Sequence, residues 1–271
     1  MLDEIKGIIH SWHLRANGYV ALTRRYPLMR LYAERLVDLL PAGFEGMAID
    51  VGGGHGVSAT ALLERFPGAR VTVFEPAAAM RELARDELAR FGARMEIREG
   101  AAHEIPAREY DAAISNAVMH VLDEREVLPV IGAALKPGAR FAFNLWGHSW
   151  APVGDESNPS AIWEPALEQA LLDLKIGKRP PKPERSKPVG PRLRDPDGMA
   201  AAARAGGMEV VSTTVDVDPV PAAFFLDFMA MTPRFMPKLV GPPRNTVLNR
   251  AREIAATTVD VPSVRFLLEK R

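Results

Sequence analysis

The chain of 271 residues contains no cysteine. Disulfides, thiolate metal sites and a cysteine nucleophile are therefore excluded. Aromatic residues make up only 7 % of it. Charge of one sign is also missing: Lys plus Arg and Asp plus Glu number 34 each. A balanced surface exerts no general attraction on nucleic acid or on an anionic membrane, so neither is expected as a partner. No apolar run approaches the roughly 20 residues that a membrane helix needs. The opening MLDEIKGIIHSW is acidic and short of apolar residues, unlike a secretory leader. A cytoplasmic location is the expectation. With 47 % hydrophobic and 25 % charged residues, the chain can build a sizeable core.

Against these absences stands a regular alternation of element signals. Residues 2–40 read as helices, with Leu28, Leu31, Tyr32, Leu36, Leu39 and Leu40 near a helical period. GMAIDV follows as a strand, SATALLERF as a helix stopped by Pro67 and Gly68, and ARVTVFE as a second strand. AAAMRELARDELARF carries Met80, Leu83, Ala84, Leu88 and Phe91 on one stripe and ends at Gly92. RMEIREG, YDAAISN and ARFAFNLW read as strands three to five. EREVLPVIGAALKPG between the last two reads as a helix that Pro129 should kink or delay. Such β-α alternation implies an α/β fold with a mainly parallel sheet and helices on both faces. After Trp146 the pattern loosens, and residues 149–198 hold nine of the 23 prolines. SAIWEPALEQALLDL reads as a helix there. The basic, proline-rich piece Lys178–Arg194 reads as a linker or lid, with an anionic-substrate clamp as the minor reading. Further on come a helix (DPDGMAAAARAGG), a strand (MEVVSTTVDV), an apolar helix from Ala222, a helix NTVLNRAREIAA and a short strand SVRFLL.

The chemistry is concentrated in AIDVGGGHGVSA, residues 48–59, where glycine fills four of the five positions 52–56. In an open parallel sheet, ligands sit beyond the carboxyl ends of the strands, and the first strand ends at Val51. Glycine lets the backbone turn tightly and approach a ligand without a Cβ in the way. Gly54, Gly56 and Ala59 fit the dinucleotide pattern G-x-G-x-x-G/A loosely, and Glu75 then suits a ribose. The second candidate is S-adenosylmethionine, which carries an ammonium and a sulfonium but no pyrophosphate. Asp50 suits that cation, whereas beside a pyrophosphate the carboxylate would be repulsive.

AIDVGGGHG resembles motif I of the class I S-adenosylmethionine-dependent methyltransferases, with Asp50, Gly52, Gly54 and Gly56 in the expected places. VTVFEP resembles the next motif. REGAAHEIP is similar to the third, although Gly100-Ala101-Ala102 stands where Gly-Asp-Ala is usual. YDAAISNAVMHVLDE and LKPGARFAF resemble the fourth strand with its loop and the lead-in to the fifth. DVGGGHG and MHVLDE also give a partial resemblance to plant-type O-methyltransferases, and the layout to quinone-biosynthesis and natural-product enzymes.

This resemblance implies a Rossmann-like, doubly wound, seven-stranded, mostly parallel sheet with a helical N-terminal segment and helical cap insertions. The expected division is 1–43 for that segment, 44–148 for the cofactor-binding core, 149–198 for a proline-rich cap and 199–271 for the rest of the sheet with a helical insertion. It implies S-adenosyl-L-methionine as cofactor, held by Asp50, Gly52, Gly54, Gly56, Glu75, Pro76, Met80, Gly100, Ala101, Ala102 and Asn116. Glu75 would take both ribose hydroxyls and Met80 would lie on the adenine. His120 falls where relatives place a general base, with pocket lining as the alternative. His55, Val121, Trp146, His148, Phe225 and Met229 are the candidates for a substrate pocket. A small molecule is the expected substrate. The stretch after the fourth strand, Ser115-Asn116-Ala117-Val118, lacks the Pro-Pro-aromatic signature of nucleic-acid amino-methyltransferases, and cytosine C5 or arsenic methylation needs cysteine. Two alternatives remain open: an enzyme that binds the cofactor without methylating, for instance a cyclisation catalyst, and a nicotinamide-dependent oxidoreductase.

Overall fold

The computed structural model of the chain describes residues 2–107, 109–146, 160–176, 196–231 and 242–271. Two helices open it, α1 (Leu2–Arg25) and α2 (Leu28–Val37). The alternating part follows as β1 (Met47–Val51), α3 (Val57–Arg65), β2 (Arg70–Phe74), α4 (Ala78–Leu88), β3 (Met95–Arg98), β4 (Tyr110–Ser115), α5 (Glu124–Ala134) and β5 (Leu135–Trp146). The remainder supplies α6 (Ser160–Asp173), α7 (Pro196–Ala205), β6 (Met208–Pro221), α8 (Ala222–Ala230), α9 (Pro242–Ile254) and β7 (Thr258–Lys270).

The strands form one seven-stranded sheet in the order β3-β2-β1-β4-β5-β7-β6. β1 pairs in parallel with β2 and β4, β2 with β3, and β4 with β5. β7 alone runs the other way, antiparallel to both β5 and β6. The chain leaves β1 toward β2 and β3, then crosses to the other side for β4. The order therefore reverses between β1 and β4, and a crevice opens beyond the ends of Val51 and Ser115.

Strand periodicity sorts the core into two layers. Ile49 and Val51 face one layer, which also holds Phe141, Phe143 and Phe266. The Phe143 ring stacks between the other two, at 4.9 and 5.0 Å. Ala48, Val71, Val73, Ala112 and Ile114 face the other, against Leu62 and Leu63 of α3 and Leu36 of α2. The same alternation places Asp50 on the α3 side. A third apolar cluster joins the opening helices to the later ones, through Leu22, Tyr32, Leu167, Leu171, Phe224, Leu226 and Val247.

Several boundaries differ from the sequence reading. α5 starts at Glu124, where the Asp123 side chain accepts from the Arg125 N–H, and runs on through Pro129 without a delayed start. β5 begins at Leu135 rather than Ala139, because Leu135 pairs with Tyr110 before a bulge. β6 and β7 pair along their whole lengths, from Met208↔Lys270 to Pro221↔Thr258, so neither is short. The prolines Pro219 and Pro221 look like strand breakers, but β6 is the edge strand, where an absent N–H costs no ladder bond. The piece 178–194 lies outside the described residues.

Asp227 on α8 ties the opening helices to the later ones. It accepts from the Tyr26 hydroxyl at 2.9 Å and from Arg252 Nε at 2.7 Å, and Arg25 lies at 3.4 Å. Burial, then the bond to Asp227, pushes the Tyr26 hydroxyl up to about 12. Asp227→Ala leaves two cations and a phenol without their acceptor. It is expected to lower the unfolding free energy by roughly 2–4 kcal/mol. A lower urea midpoint at unchanged slope would show this; an unmoved midpoint would contradict it.

Candidate functional site

The crevice between β1 and β4 is a cavity enclosing about 1140 Å³ of space, part of it open to solvent. Its floor is the turn after β1. The Gly52 N–H donates to Phe74 O at 2.8 Å, which ties the turn to the end of β2. Gly52 has φ +69°, and a Cβ there would meet Val118 at 2.7 Å. Gly54, with φ +56°, lines the cavity, and a Cβ there would meet nothing within 4 Å. The glycines thus serve two ends: one permits close packing against the loop after β4, the other leaves bare backbone facing the cavity.

Two carboxylates flank this turn. Glu75 closes β2, lines the cavity and is only 7 % exposed. Its Oε2 accepts from the Gly54 N–H at 3.0 Å and its Oε1 from the Ala77 N–H at 2.8 Å. A carboxylate has about four lone-pair sites, so one on each oxygen is left for a ligand. Burial raises its pKa, which the two N–H bonds and Arg81 oppose. Arg81 holds the turn in place by donating to the carbonyls of Glu75 and Pro76 at 3.0 and 2.7 Å.

Asp50 lies beneath the glycines, fully buried, and does not line the cavity. Its Oδ2 accepts from the Ala59 N–H at 3.1 Å in the first turn of α3, as a helix cap would. Its Oδ1 is sealed from solvent and has no hydrogen-bond partner. Burial pushes the Asp50 carboxyl up to about 7, against the Ala59 bond and with a further push from the charge on Glu75.

The loop after β4 forms the opposite wall. Asn144 on β5 is fully buried and accepts from the Ala117 N–H at 2.6 Å. Its Nδ2 donates to Asn116 Oδ1 at 3.1 Å, and Asn116 Nδ2 in turn donates to Met29 O at 2.9 Å. This relay fixes Ala117 at φ +56° and links β5, the loop and α2. His120 and Val121 follow in a single turn and line the cavity.

Helix α1 covers the mouth. Ile9, Trp12 and Tyr19 line the cavity from one face of it, and Trp12, Tyr19 and Ala16 pack with Met80 of α4. Tyr19 meets the His55 ring edge to face at 5.6 Å. Burial, and then the charge of Glu75, keeps the Tyr19 hydroxyl protonated far above its ordinary range. His55 is buried, and burial with help from Arg24 pushes it down to about 4, so it is neutral at pH 7. Its Nε2 lies 3.2 Å from Thr23 Oγ1, whose hydroxyl donates to Val20 O. The Nε2 therefore carries the proton, and Nδ1 is left as an acceptor.

The cavity thus brings together Gly52, Gly54, His55, Glu75, Pro76, Met80, Ala101, Ala102, Asn116, His120 and Val121. Asp50, Gly56 and Gly100 lie behind this lining, Gly56 at the start of α3 and Gly100 against Phe74. Phe225 is buried in the cluster of α6, α8 and α9, and Met229 packs against that cluster rather than into the cavity. The Trp146 side chain and His148 fall outside the described residues. Ile9, Trp12, Tyr19, Met29, Val57, Ser58, Ala117, Val118 and Leu122 line the cavity without having been singled out. The spacing of Ile9, Trp12 and Tyr19 on one helix face was the available signal. Among the described residues, no group of three or more His, Asp or Glu is placed to hold a metal ion, and no helix is long and apolar enough to cross a membrane.

A raised acid pKa has a definite sign in the linkage. The folded state holds the Asp50 proton more tightly than the unfolded chain, whose value is near 3.8. Stability owed to this group is complete at low pH and is lost as pH rises from about 4 to about 7. In the ligand-free protein, Asp50→Asn retains an acceptor for Ala59 and removes the buried charge. The melting temperature of the variant relative to wild type is expected to climb across that pH window and then level off. A difference independent of pH would contradict the assignment.

Residues 48–138 match the family model described as a methyltransferase domain. The trans-aconitate 2-methyltransferase of Paracidovorax citrulli (strain AAC00-1) is 33 % identical over 169 residues, which are 60 % of this chain and 62 % of that protein. The chain thus spans less than two thirds of the length of this relative. Among solved structures, a proposed sarcosine dimethylglycine methyltransferase from Galdieria sulphuraria superposes with a TM-score of 0.53 at 17 % identity, covering 90 % of this chain and 85 % of that one. The geranyl diphosphate C-methyltransferase of Streptomyces coelicolor A3(2), solved with Mg²⁺, geranyl diphosphate and S-adenosyl-L-homocysteine, gives 0.51 at 16 % identity over 88 % of this chain and 77 % of that one. At such identities the likeness is one of fold. Fold, motifs and the domain match over residues 48–138 together make this chain similar to the class I S-adenosylmethionine-dependent methyltransferases.

Proposed function

We propose that this chain transfers a methyl group from S-adenosyl-L-methionine to an O, N or C nucleophile of a small molecule, in secondary-metabolite or cofactor biosynthesis. The observation that carries this reading is the pair of buried acids at the glycine turn. Glu75 keeps one lone pair free on each oxygen toward the cavity, which suits the two adjacent hydroxyls of a ribose. Asp50 keeps a buried oxygen without a donor beneath the backbone that the ligand would touch, and its charge, acting from behind the glycine turn, suits an ammonium group. A pyrophosphate would meet the Glu75 carboxylate in the cavity, with Asp50 behind the turn, and so a nicotinamide dinucleotide fits poorly. Met80, Ala101 and Ala102 offer an apolar bed for the adenine. The names of the relatives, trans-aconitate and geranyl diphosphate methyltransferases, favour a small substrate for this chain as well.

When bound, the cofactor supplies an electrophilic methyl carbon on a sulfonium. The protein's part is placement and exclusion of water. The glycine turn and Glu75 fix one side of the cavity, and the Asn144 relay fixes the wall that carries His120. α1 covers part of the mouth with Trp12 and Tyr19, which limits the access of water to the reacting atoms. Of the two histidines in the cavity, His55 is a weak base because burial holds it near 4. His120 is therefore assigned as the acceptor of the proton that the nucleophile releases.

Glu75→Ala is expected to weaken S-adenosylhomocysteine binding by about 10- to 100-fold, as loss of a charged hydrogen-bonding partner would. Calorimetric titration reads this, and an unchanged affinity would remove the ribose role. His120→Ala is expected to lower turnover at least ~100-fold with cofactor affinity kept. A near-wild-type rate at saturating substrate would make His120 a wall residue. Formation of S-adenosylhomocysteine in step with product separates methyl transfer from a cyclisation that leaves the cofactor intact.

A further inference from the structure

Arg15 lies on the roof helix α1, outside the cavity lining itself but three residues after Trp12 and four before Tyr19, both of which line the cavity. Its guanidinium sits 5.5 Å from the Trp12 ring centroid. Among the described residues that ring is the sole partner of the Arg15 head group. Its Nε is sealed from solvent without an acceptor, while the Nη end is not sealed. Its pKa is lowered by burial, with no acid among the described residues raising it.

The other arginines of the opening helices are committed. Arg24 pairs with Glu87, Arg25 with Asp227, Arg30 with Glu34 and Glu64, and Arg35 with Asp218. A half-buried cation without an anion is costly, and a ligand that brings the anion recovers that cost. The charges are also divided. The acids Asp50 and Glu75 lie at the glycine turn, where the cationic cofactor is placed, whereas the free cation lies on the roof. Beside Arg15, α1 packs on α8: a Cβ added at Gly18 would meet Met231 just past that helix at 3.1 Å. This flank adjoins the apolar cluster of α6, α8 and α9, away from Met80 and α4.

We propose that Arg15 receives a carboxylate of the methyl acceptor, so that the substrate of this enzyme is an organic acid. The inference rests on the methyltransferase reading of the site and goes beyond it by naming the substrate class. One uncommitted guanidinium matches the single charge of one carboxylate, and its planar fork fits a carboxylate's two oxygens. A phosphate ester, with up to two charges, or a diphosphate, with more, would call for further cations, and the neighbouring arginines are paired. The Trp12 face gives the rest of an acid with an apolar or unsaturated skeleton a surface to lie on.

The test uses the full-length protein saturated with S-adenosylhomocysteine. Thermal unfolding and calorimetry are run with acetate, benzoate, succinate, citrate and trans-aconitate, each beside its methyl ester, and with inorganic phosphate and pyrophosphate. At least one acid is expected to bind the wild type, with its ester failing to do so. Arg15→Gln is expected to weaken that acid at least about 10-fold, and Arg15→Lys less. Both variants are expected to keep wild-type affinity for S-adenosylhomocysteine, which shows them folded. The proposal is overturned if no acid binds, if acid and ester bind alike, if Arg15→Gln binds the acid as the wild type does, or if only phosphate or pyrophosphate binds. Failure of the wild type to bind S-adenosylhomocysteine would instead overturn the methyltransferase reading beneath it.

Discussion

Two carboxylates, Asp50 and Glu75, are buried at the carboxyl ends of neighbouring strands and share three backbone N–H donors between them. Burial raises the pKa of both, and the charge on Glu75 raises that of Asp50 further. An arrangement so short of donors is costly by itself, and a cationic, hydroxyl-bearing ligand, as proposed here, would offset the cost. Much of the surrounding structure holds this pair in place. The sheet order puts the ends of β1 and β2 side by side, the glycines let the loop after β4 approach, and Arg81 locks the bend after Glu75. Stability and affinity are thus opposed at one point, as is common at functional sites.

The sequence made the alternating part of the fold legible because each element there carries its own period and its own stop. Met47–Val51, Arg70–Phe74 and Ala78–Leu88 fall where apolar pattern and glycine or proline punctuation put them. The β6–β7 ribbon was less legible. Its prolines signal an end to pairing, and only the place of β6 at the sheet edge, a tertiary fact, makes them harmless. Of the site, the residues after β1, β2 and β4 were readable because turn chemistry is local. Asn144 was not, since an asparagine inside a strand pattern carries no sign that its amide will hold a loop 27 residues away in the chain. Nor did any local signal separate Phe225 and Met229, which pack among the cap helices, from Trp12 and Tyr19, which face the cavity. All four are apolar or aromatic residues on helices, and only the packing of α1 against α4 decides between them.

The roof and the floor of the cavity therefore differ in kind. The floor is backbone and carboxylate, set rigidly at the ends of a parallel sheet. The roof is a single helix whose aromatic face is joined to α4 through Ala16 and Met80, and to α8 and α9 through Asp227. On the proposed reading, the first recognises the cofactor. On the same reading, the second recognises the substrate, and there Arg15 stands without an acid among the described residues.

The most direct measurement is thermal unfolding of the protein alone, with S-adenosylhomocysteine and with NAD. A ligand at 100 times its Kd that binds only the native state adds about 2.7 kcal/mol. In a domain of this size that is a rise of roughly 5–10 °C. A rise with S-adenosylhomocysteine and none with NAD is the result that the buried acids demand. No rise with S-adenosylhomocysteine, or a rise with NAD alone, would mean that the glycine turn and its two carboxylates serve a different ligand.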